Sequence, residues 1–198
     1  MKKRQGFTLA EVLVVLVVLG VLASILIPTL LAQRPNQEMV MLKKAYYLTS
    51  RTVNELINDD EFYPYENLGF EDTDTAIYHN ETYELGKKFC GLFASRLNLR
   101  DNTMDCKEDG SGHFITADGM DWTLTKDGST NVRTFTIDVN GNNSGANCLE
   151  KDCKGKNPDR FEISFDQWGV IKVPKDGIEQ KYLSTNNTTK KYQELKKK

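Results

Sequence analysis

The sequence predicts an α+β chain: a long N-terminal helix, membrane-spanning in its first half, packed against a roughly four-stranded antiparallel sheet, with a short extra helix. Three observations carry that reading. Twenty of the 26 residues from Phe7 to Ala32 are apolar, enough to cross a bilayer, which takes about 20. From Leu42 to Ile57 apolar residues recur every three or four positions, the period of one helix face. From Asp121 onward, two blocks alternate apolar with polar residues, the period of a strand with one buried side.

The chain has 198 residues, 39% of them apolar, and a mean hydropathy of -0.51. That polar average conceals a single apolar segment. No second run approaches membrane length, which excludes a multi-span transporter, and the first run excludes an ordinary soluble enzyme. The chain divides into a basic head (residues 1–6), the apolar segment (7–32), a polar body (33–180) and a polar tail (181–198). Net charge is -2, with +3 on the first six residues, +4 on the last nine and -9 between. An acidic body lacks the basic face that nucleic acid requires. The lysine-rich tail reads as a solvated, disordered end.

Lys2, Lys3 and Arg4 ahead of the apolar run fit either a cleaved signal or an anchor with its positive end in the cytoplasm. A signal core spans about 7–15 residues; this one is longer, so it is an anchor. Glu11, within the run, would cost at least about 2–3 kcal/mol facing lipid. Pro28 removes a helix hydrogen bond at about 3 kcal/mol unless neighbours compensate. Two readings stay open: Glu11 reaches the interface and Pro28 ends the span, or Glu11 serves a partner and Pro28 a bend.

The string Gly6-Phe7-Thr8-Leu9-Ala10-Glu11-Val12 behind that basic head resembles the cleavage and methylation signature of type IV prepilins and type II secretion pseudopilins. The resemblance implies that a prepilin peptidase cuts between Gly6 and Phe7 and methylates the new amine of Phe7. It also implies that Glu11 is the family's assembly glutamate, that Pro28 is its first-helix proline, and that Gly20 matches its glycine within the span. Such a subunit waits in the inner (cytoplasmic) membrane with its C-terminal domain exported. Its partners are other pilin or pseudopilin subunits and the pilus or secretion assembly platform, and in a filament it lies in the periplasm or outside the cell. The physical sense of Glu11 would then be a pair with a neighbouring Phe7 amine in a low-dielectric core.

Beyond the Arg34-Pro35-Asn36 break, residues 37–58 read as the soluble half of the long helix, and Lys43-Lys44-Ala45-Tyr46 resembles the same stretch in one branch of prepilin-like proteins. From Asn58 to Asn80 acidic and aromatic residues mix without period, a surface connection laid against the body. Leu85, Phe89, Leu92, Phe93 and Leu97 predict a short helix over 82–98. Trp122 and Leu124 alternate up to the Asp127-Gly128 turn, and Phe135, Ile137 and Val139 alternate after it. Phe161, Ile163 and Phe165, with Val170 to Val173 beyond Gly169, make a second hairpin. The pilin-fold resemblance is good to about residue 57 and weaker beyond, where Ile137 to Gly141, Phe161 and the Gly169 to Pro174 end resemble a C-terminal block of some prepilin-like proteins. Those relatives place proline and glycine in the connecting loop, where this chain has Ala146, Cys148, Glu150 and Cys153.

The four cysteines, Cys90, Cys106, Cys148 and Cys153, lie in the exported part. Of three pairings, Cys90 with Cys106 and Cys148 with Cys153 close the shortest loops; the spacing fits no zinc pattern. Asp138, Asn140 and Asn142 place oxygens at alternate positions near Gly141, as calcium loops do, and the resemblance adds that major pseudopilins bind calcium near this end. Leu149 at the twelfth position excludes an EF-hand, and an Asn-Gly turn accounts for the same residues without a metal or other cofactor. His79 and His113 lack ligand spacing, and no nucleophile elbow or phosphate loop occurs. The chain therefore reads as a structural subunit rather than an enzyme. The alternative is a membrane-tethered binding or adhesion domain on a pilin-type anchor, using residues 59–74 as its surface.

Overall fold

The computed structural model describes residues 8–32, 36–70, 75–84, 86–126, 131–142 and 144–186. Gly6, Phe7, the Asp127-Gly128 turn and the lysines from 190 onward lie outside them. Helix α1 (Leu9–Ala32) carries Pro28 inside it, and its apolar side chains from Leu9 to Ile27 are exposed. Among the described residues it is the one helix long and apolar enough to cross a membrane.

Helix α2 (Gln37–Ile57) starts on Asn36, whose side-chain oxygen accepts from Met39 N at 3.1 Å. That bond satisfies one of the amides a helix start leaves open. Its buried face is Met39, Leu42, Ala45, Thr49, Thr52, Val53, Leu56 and Ile57, the stripe that its three-and-four spacing predicts. Thr49 is tolerated there because its hydroxyl donates to the Ala45 carbonyl at 2.9 Å.

The main sheet is an antiparallel meander of six strands in chain order: β3 (Leu99–Cys106), β4 (Gly112–Thr116), β5 (Asp121–Lys126), β6 (Val132–Asp138), β7 (Arg160–Asp166) and β8 (Ile171–Lys172). Strands β5 to β8 are the four that alternation identifies; β3 and β4 extend the sheet by two. Register pairs Leu124 with Phe135 and Phe135 with Ile163, and Trp122 with Ile137 and Ile137 with Phe161. All of these point inward and are buried with the α2 face. Helix α3 (Lys87–Ser95) adds Phe89, Leu92 and Phe93, and the rings of Phe93 and Phe135 lie 4.6 Å apart. Burying each such side chain contributes roughly 1.5–3 kcal/mol, so this helix-on-sheet core sustains the α+β arrangement of a pilin fold.

Three further differences from the sequence reading have local causes. Helix α3 is shorter than residues 82–98, because β1 (Ala76–Tyr78) and β2 (Glu81–Tyr83) form a hairpin first. Gly91 leaves no room for a Cβ beside the Tyr83 ring, so Tyr83 packs across α3 rather than extending it. The 58–70 segment, expected as a surface connection laid against the body, lies against it and lends more side chains to the core than that reading required. Phe62, Tyr63, Leu68 and Phe70 are buried and Tyr65 alone of its aromatics is exposed; buried Arg133 on β6 donates to the Phe70 carbonyl at 3.2 Å and lies 4.6 Å from its ring. Finally, helix α4 (Ile178–Ser184) continues the fold past residue 180, with Ile178 and Tyr182 fully buried.

Candidate functional site

The site begins at the start of α1. Thr8 N–H and Thr8 Oγ1 both donate to Glu11 Oε2 at 2.8 Å, and Glu11 N–H donates back to Thr8 Oγ1 at 3.3 Å. This reciprocal pattern is a capping box, with Thr8 as the cap and Glu11 three residues in. A carboxylate near a helix N-terminus is also favoured by the helix dipole. Glu11 thus has a role within its own chain, which the sequence reading of an unpartnered charge did not contain, although the Thr-x-x-Glu spacing stands in plain view.

Further along, a Cβ on Gly20 would meet nothing within 4 Å, so that face of α1 is open to the close approach of another helix. Helix α1 runs unbroken through Pro28. Proline supplies no amide to the Ser24 carbonyl four residues back, and Ser24 turns its hydroxyl onto the Val21 carbonyl at 2.7 Å. Gly6 and Phe7, the residues of the expected cleavage point, lie outside the described residues.

At the other end of α1 the body is clasped where α2 starts. Asn36, while capping α2, donates its amide nitrogen to Tyr182 Oη at 3.3 Å, and Lys43 Nζ donates to the Thr185 carbonyl. Helix α4 lies along α2 in this way because Glu150 Oε2 accepts from Ile178 N–H at 2.8 Å, capping α4 with a remote carboxylate. Glu150 sits inside the loop closed by the Cys148–Cys153 disulfide. The second disulfide, Cys90–Cys106, ties α3 to edge strand β3, and a Cβ on Gly112 would collide with the Cys90 sulfur. Glu179 of α4 is buried and accepts from Glu162 N–H at 3.4 Å. Burial raises its carboxyl above the ordinary value, with Glu150 and Glu162 adding to the rise.

The residues that calcium would need are brought together but are committed to protein donors. Asp138 accepts from Arg160 Nε at 3.0 Å, and the Asn142 oxygen accepts from the same guanidinium at 2.6 Å. The Asn142 nitrogen donates to Asp121, whose other oxygen lies 2.7 Å from His113 Nε2. Asn140, in the amide orientation that satisfies its neighbours, donates to Asp138 Oδ1 at 2.9 Å and to the Ser144 carbonyl at 3.0 Å. Burial raises the Asp138 carboxyl, and Arg160 opposes that rise. A guanidinium thus stands where a cation would, and this donor set does not fit a hard cation as arranged. Among the described residues no group of three or more His, Cys, Asp or Glu could hold a metal.

One organising residue left no sequence signal. Buried Asp159 accepts from Ala146 N–H at 2.6 Å, and from Asn147 and Cys148 N–H at 2.9 Å each. It fixes the start of the loop that the Cys148–Cys153 disulfide closes. As a single acid in a polar stretch, it looks like any solvated residue.

Comparison with known proteins agrees with this N-terminal site. Residues 1–27 match the model of the prokaryotic N-terminal methylation motif. The chain is 32% identical over 69 residues to the type II secretion system core protein G of Escherichia coli K12, covering 35% of this chain and 48% of that protein. It is 34% identical over 71 residues to the core protein G of Vibrio cholerae serotype O1 (36% and 49% covered) and 36% identical over 74 residues to that of Pseudomonas aeruginosa (36% and 51%). The chain spans about half the length of the curated relatives it matches. No solved structure matches it significantly. The chain thus carries a prokaryotic N-terminal methylation motif and is similar, over about a third of its length, to the core protein G of type II secretion systems.

Proposed function

We propose that this chain is a structural subunit of a type II secretion pseudopilus or a type IV pilus. Prepilin peptidase cuts it between Gly6 and Phe7, α1 holds it in the inner membrane with α2 and the sheet exported, and an assembly platform adds it to a filament whose core is packed α1 helices. The observation that carries this reading is the coincidence of the methylation motif over residues 1–27 with an apolar helix whose large apolar side chains are exposed from Leu9 to Ile27. An exposed apolar surface of this extent needs lipid or other helices around it. In lipid, α1 is a span; in a filament, Gly20 and the apolar faces pack against neighbours. Glu11 answers the positive amine of a neighbouring Phe7, in a setting where leaving either charge alone costs about 3–5 kcal/mol.

A tethered binding domain built on residues 59–74 draws little support, since Phe62, Tyr63, Leu68 and Phe70 are spent on the core. The two readings part in one experiment. When the chain is co-expressed with a prepilin peptidase and an assembly platform, both should give an N-terminus at Phe7 by intact mass. A filament subunit also appears in the sheared fraction, and a tethered domain stays with the membrane.

A further inference from the structure

Outside α1, the large apolar side chains exposed among the described residues are Val40 and Tyr47 on α2, Tyr65 in the 58–70 segment, Ile77 on β1, and Trp168 and Val170 beside the β7–β8 turn. Tyr65 is 86% exposed, more than any of the others, yet it stands on a fixed support. Tyr63 and Leu68 on either side of it are buried. Glu66 N–H donates to the Tyr63 carbonyl at 3.1 Å, and Leu68 N–H donates to the Gln167 carbonyl at 2.9 Å. Asp60, Glu61 and Glu66, its neighbours in sequence, are exposed as well. The fold therefore holds out one aromatic ring among carboxylates, and a rigid tyrosine supplies contact area at little cost in entropy.

A cleft of the opposite character opens beside α2. Lys44, Leu48 and Arg51 follow one another at helical spacing on that helix, and with Leu97 and Ala117 they line a cavity of about 300 Å³ between α2, the turn after α3 and the β4–β5 turn. Leu48 and Leu97 are half-buried and form an apolar floor, while Lys44 and Arg51 stand exposed at the rim. Arg96 and Asp118 complete the lining, so three cations face one acid. Lys44 meets Asp118 at 2.7 Å and Arg51 meets Glu55 at 2.7 Å, but all four side chains are at least a quarter exposed. Exposed pairs of this kind hold weakly, and Arg51 commits to Glu55 only Nε of its five N–H groups.

We infer that in the filament the Tyr65 ring of one copy seats in this cleft of a second copy, with Glu61 and Glu66 against Lys44 and Arg51. This rests on the reading of the chain as a filament subunit. Leu48 stands ten residues before Asn58, where α2 has ended, so the cleft and the start of the acidic segment are about 15 Å apart along the helix axis. Two different patches at different heights on one chain make a head-to-tail contact, which repeats into an open helix where its rotation does not close a ring. The reverse docking, Tyr65 against a second Tyr65, would bring like charges together. The ring supplies the buried contact and the opposed charges set its register.

The test places photoreactive p-benzoylphenylalanine at position 65 of the full chain, co-expressed with a prepilin peptidase and an assembly platform, and irradiates the sheared filaments. The inference predicts a band of dimer mass whose adducts map by mass spectrometry to residues 44–51 or 97–118 of a second copy. Adducts elsewhere, within the same copy or on another protein overturn it. A charge exchange reads the same contact through filament yield. Lys44→Glu with Arg51→Glu, and Glu61→Lys with Glu66→Lys, should each lower the yield at least about tenfold, and all four changes together should restore it to within about twofold of the parent. Parent yield from either pair, or no recovery with all four, overturns the contact. The crosslink leaves every charge in place, so it decides even where a reversed chain folds poorly. A parent chain that is cut at Phe7 yet absent from the sheared fraction overturns the filament reading, and this inference with it.

Discussion

Asn36 and Tyr182, 146 positions apart, share a hydrogen bond of 3.3 Å, and through it helix α4 holds the start of α2, just beyond the apolar helix α1. Asn36 does two things at once, capping α2 with its oxygen and reaching α4 with its nitrogen. The Tyr182 ring is fully buried and lies 5.9 Å from Phe161 of the sheet. Removing the ring should therefore cost far more than removing the hydroxyl.

We expect Tyr182→Ala to destabilise the helix-on-sheet domain by about 3–5 kcal/mol, the usual cost of deleting a buried aromatic side chain. Tyr182→Phe should cost only about 1 kcal/mol, the worth of one hydrogen bond. Thermal unfolding of the full chain in detergent measures both, at about 2–4 °C per kcal/mol for a domain of this size. Equal effects would mean that α4 is not held by its apolar face.

Glu179 makes the α4 contact sensitive to pH. Its carboxyl is raised by burial first and by Glu150 and Glu162 second, so the folded state binds its proton more tightly than the unfolded state. The corresponding stability is fully present below the ordinary carboxylate range and is lost as pH rises through the elevated folded value. Glu179→Gln should consequently melt higher than the parent at pH 7, with the difference closing near pH 4. A variant that melts lower at pH 7 would show that the carboxylate is needed ionised.

The two disulfides should separate cleanly. The loop-closure model gives about 3 kcal/mol for the sixteen-residue Cys90–Cys106 separation and about 2 kcal/mol for the five-residue Cys148–Cys153 separation. Cys148→Ser with Cys153→Ser should also loosen the loop that holds Glu150, so amides from Ile178 to Ser184 exchange faster with solvent. Cys90→Ser with Cys106→Ser should lower the melting point more and leave those amides closer to the parent. Faster exchange at α4 in the second variant alone would contradict the link between the small loop and α4.

Calcium should do little. With Arg160 bonded to both Asp138 and Asn142, added calcium or a chelator should shift the melting point by less than about 1 °C, whereas a filled site would stabilise in proportion to the logarithm of free calcium.

Much of the fold is legible in the sequence where side-chain periodicity and burial coincide. Leu42, Ala45, Thr49, Val53 and Leu56 mark the α2 face, and Trp122, Leu124, Phe135, Ile137, Phe161, Ile163 and Phe165 mark the inner side of the sheet. Strand β3 gives no such signal because it is a polar edge strand with a register shift between Leu99 and Met104; Cys106 and its partner on α3 tie it down. Helix α4 is short and polar apart from Ile178, Tyr182 and Leu183, and it depends on a carboxylate 28 positions away. Asp159 and Glu150 act on distant backbone amides, and spacing along a chain does not encode contacts of that kind. Thr8 and Glu11 are the converse case: their capping spacing is visible, but the cost of a carboxylate in an apolar run draws attention to a partner outside the chain.

That double identity of Glu11 gives the most direct test. Glutamine can take the third position of a capping box as glutamate does, but it carries no charge to answer the amine of a neighbouring Phe7. In cells that have a prepilin peptidase and an assembly platform, the measurement is the amount of Glu11→Gln chain in sheared filaments, alongside the mass of its N-terminus and beside Glu11→Ala. The account predicts normal cleavage after Gly6 in both variants and a loss of more than about a hundredfold from filaments in both, as the removal of one partner of a buried pair implies. Wild-type filaments from Glu11→Gln, with Glu11→Ala excluded, would show that Glu11 serves only to cap its own helix.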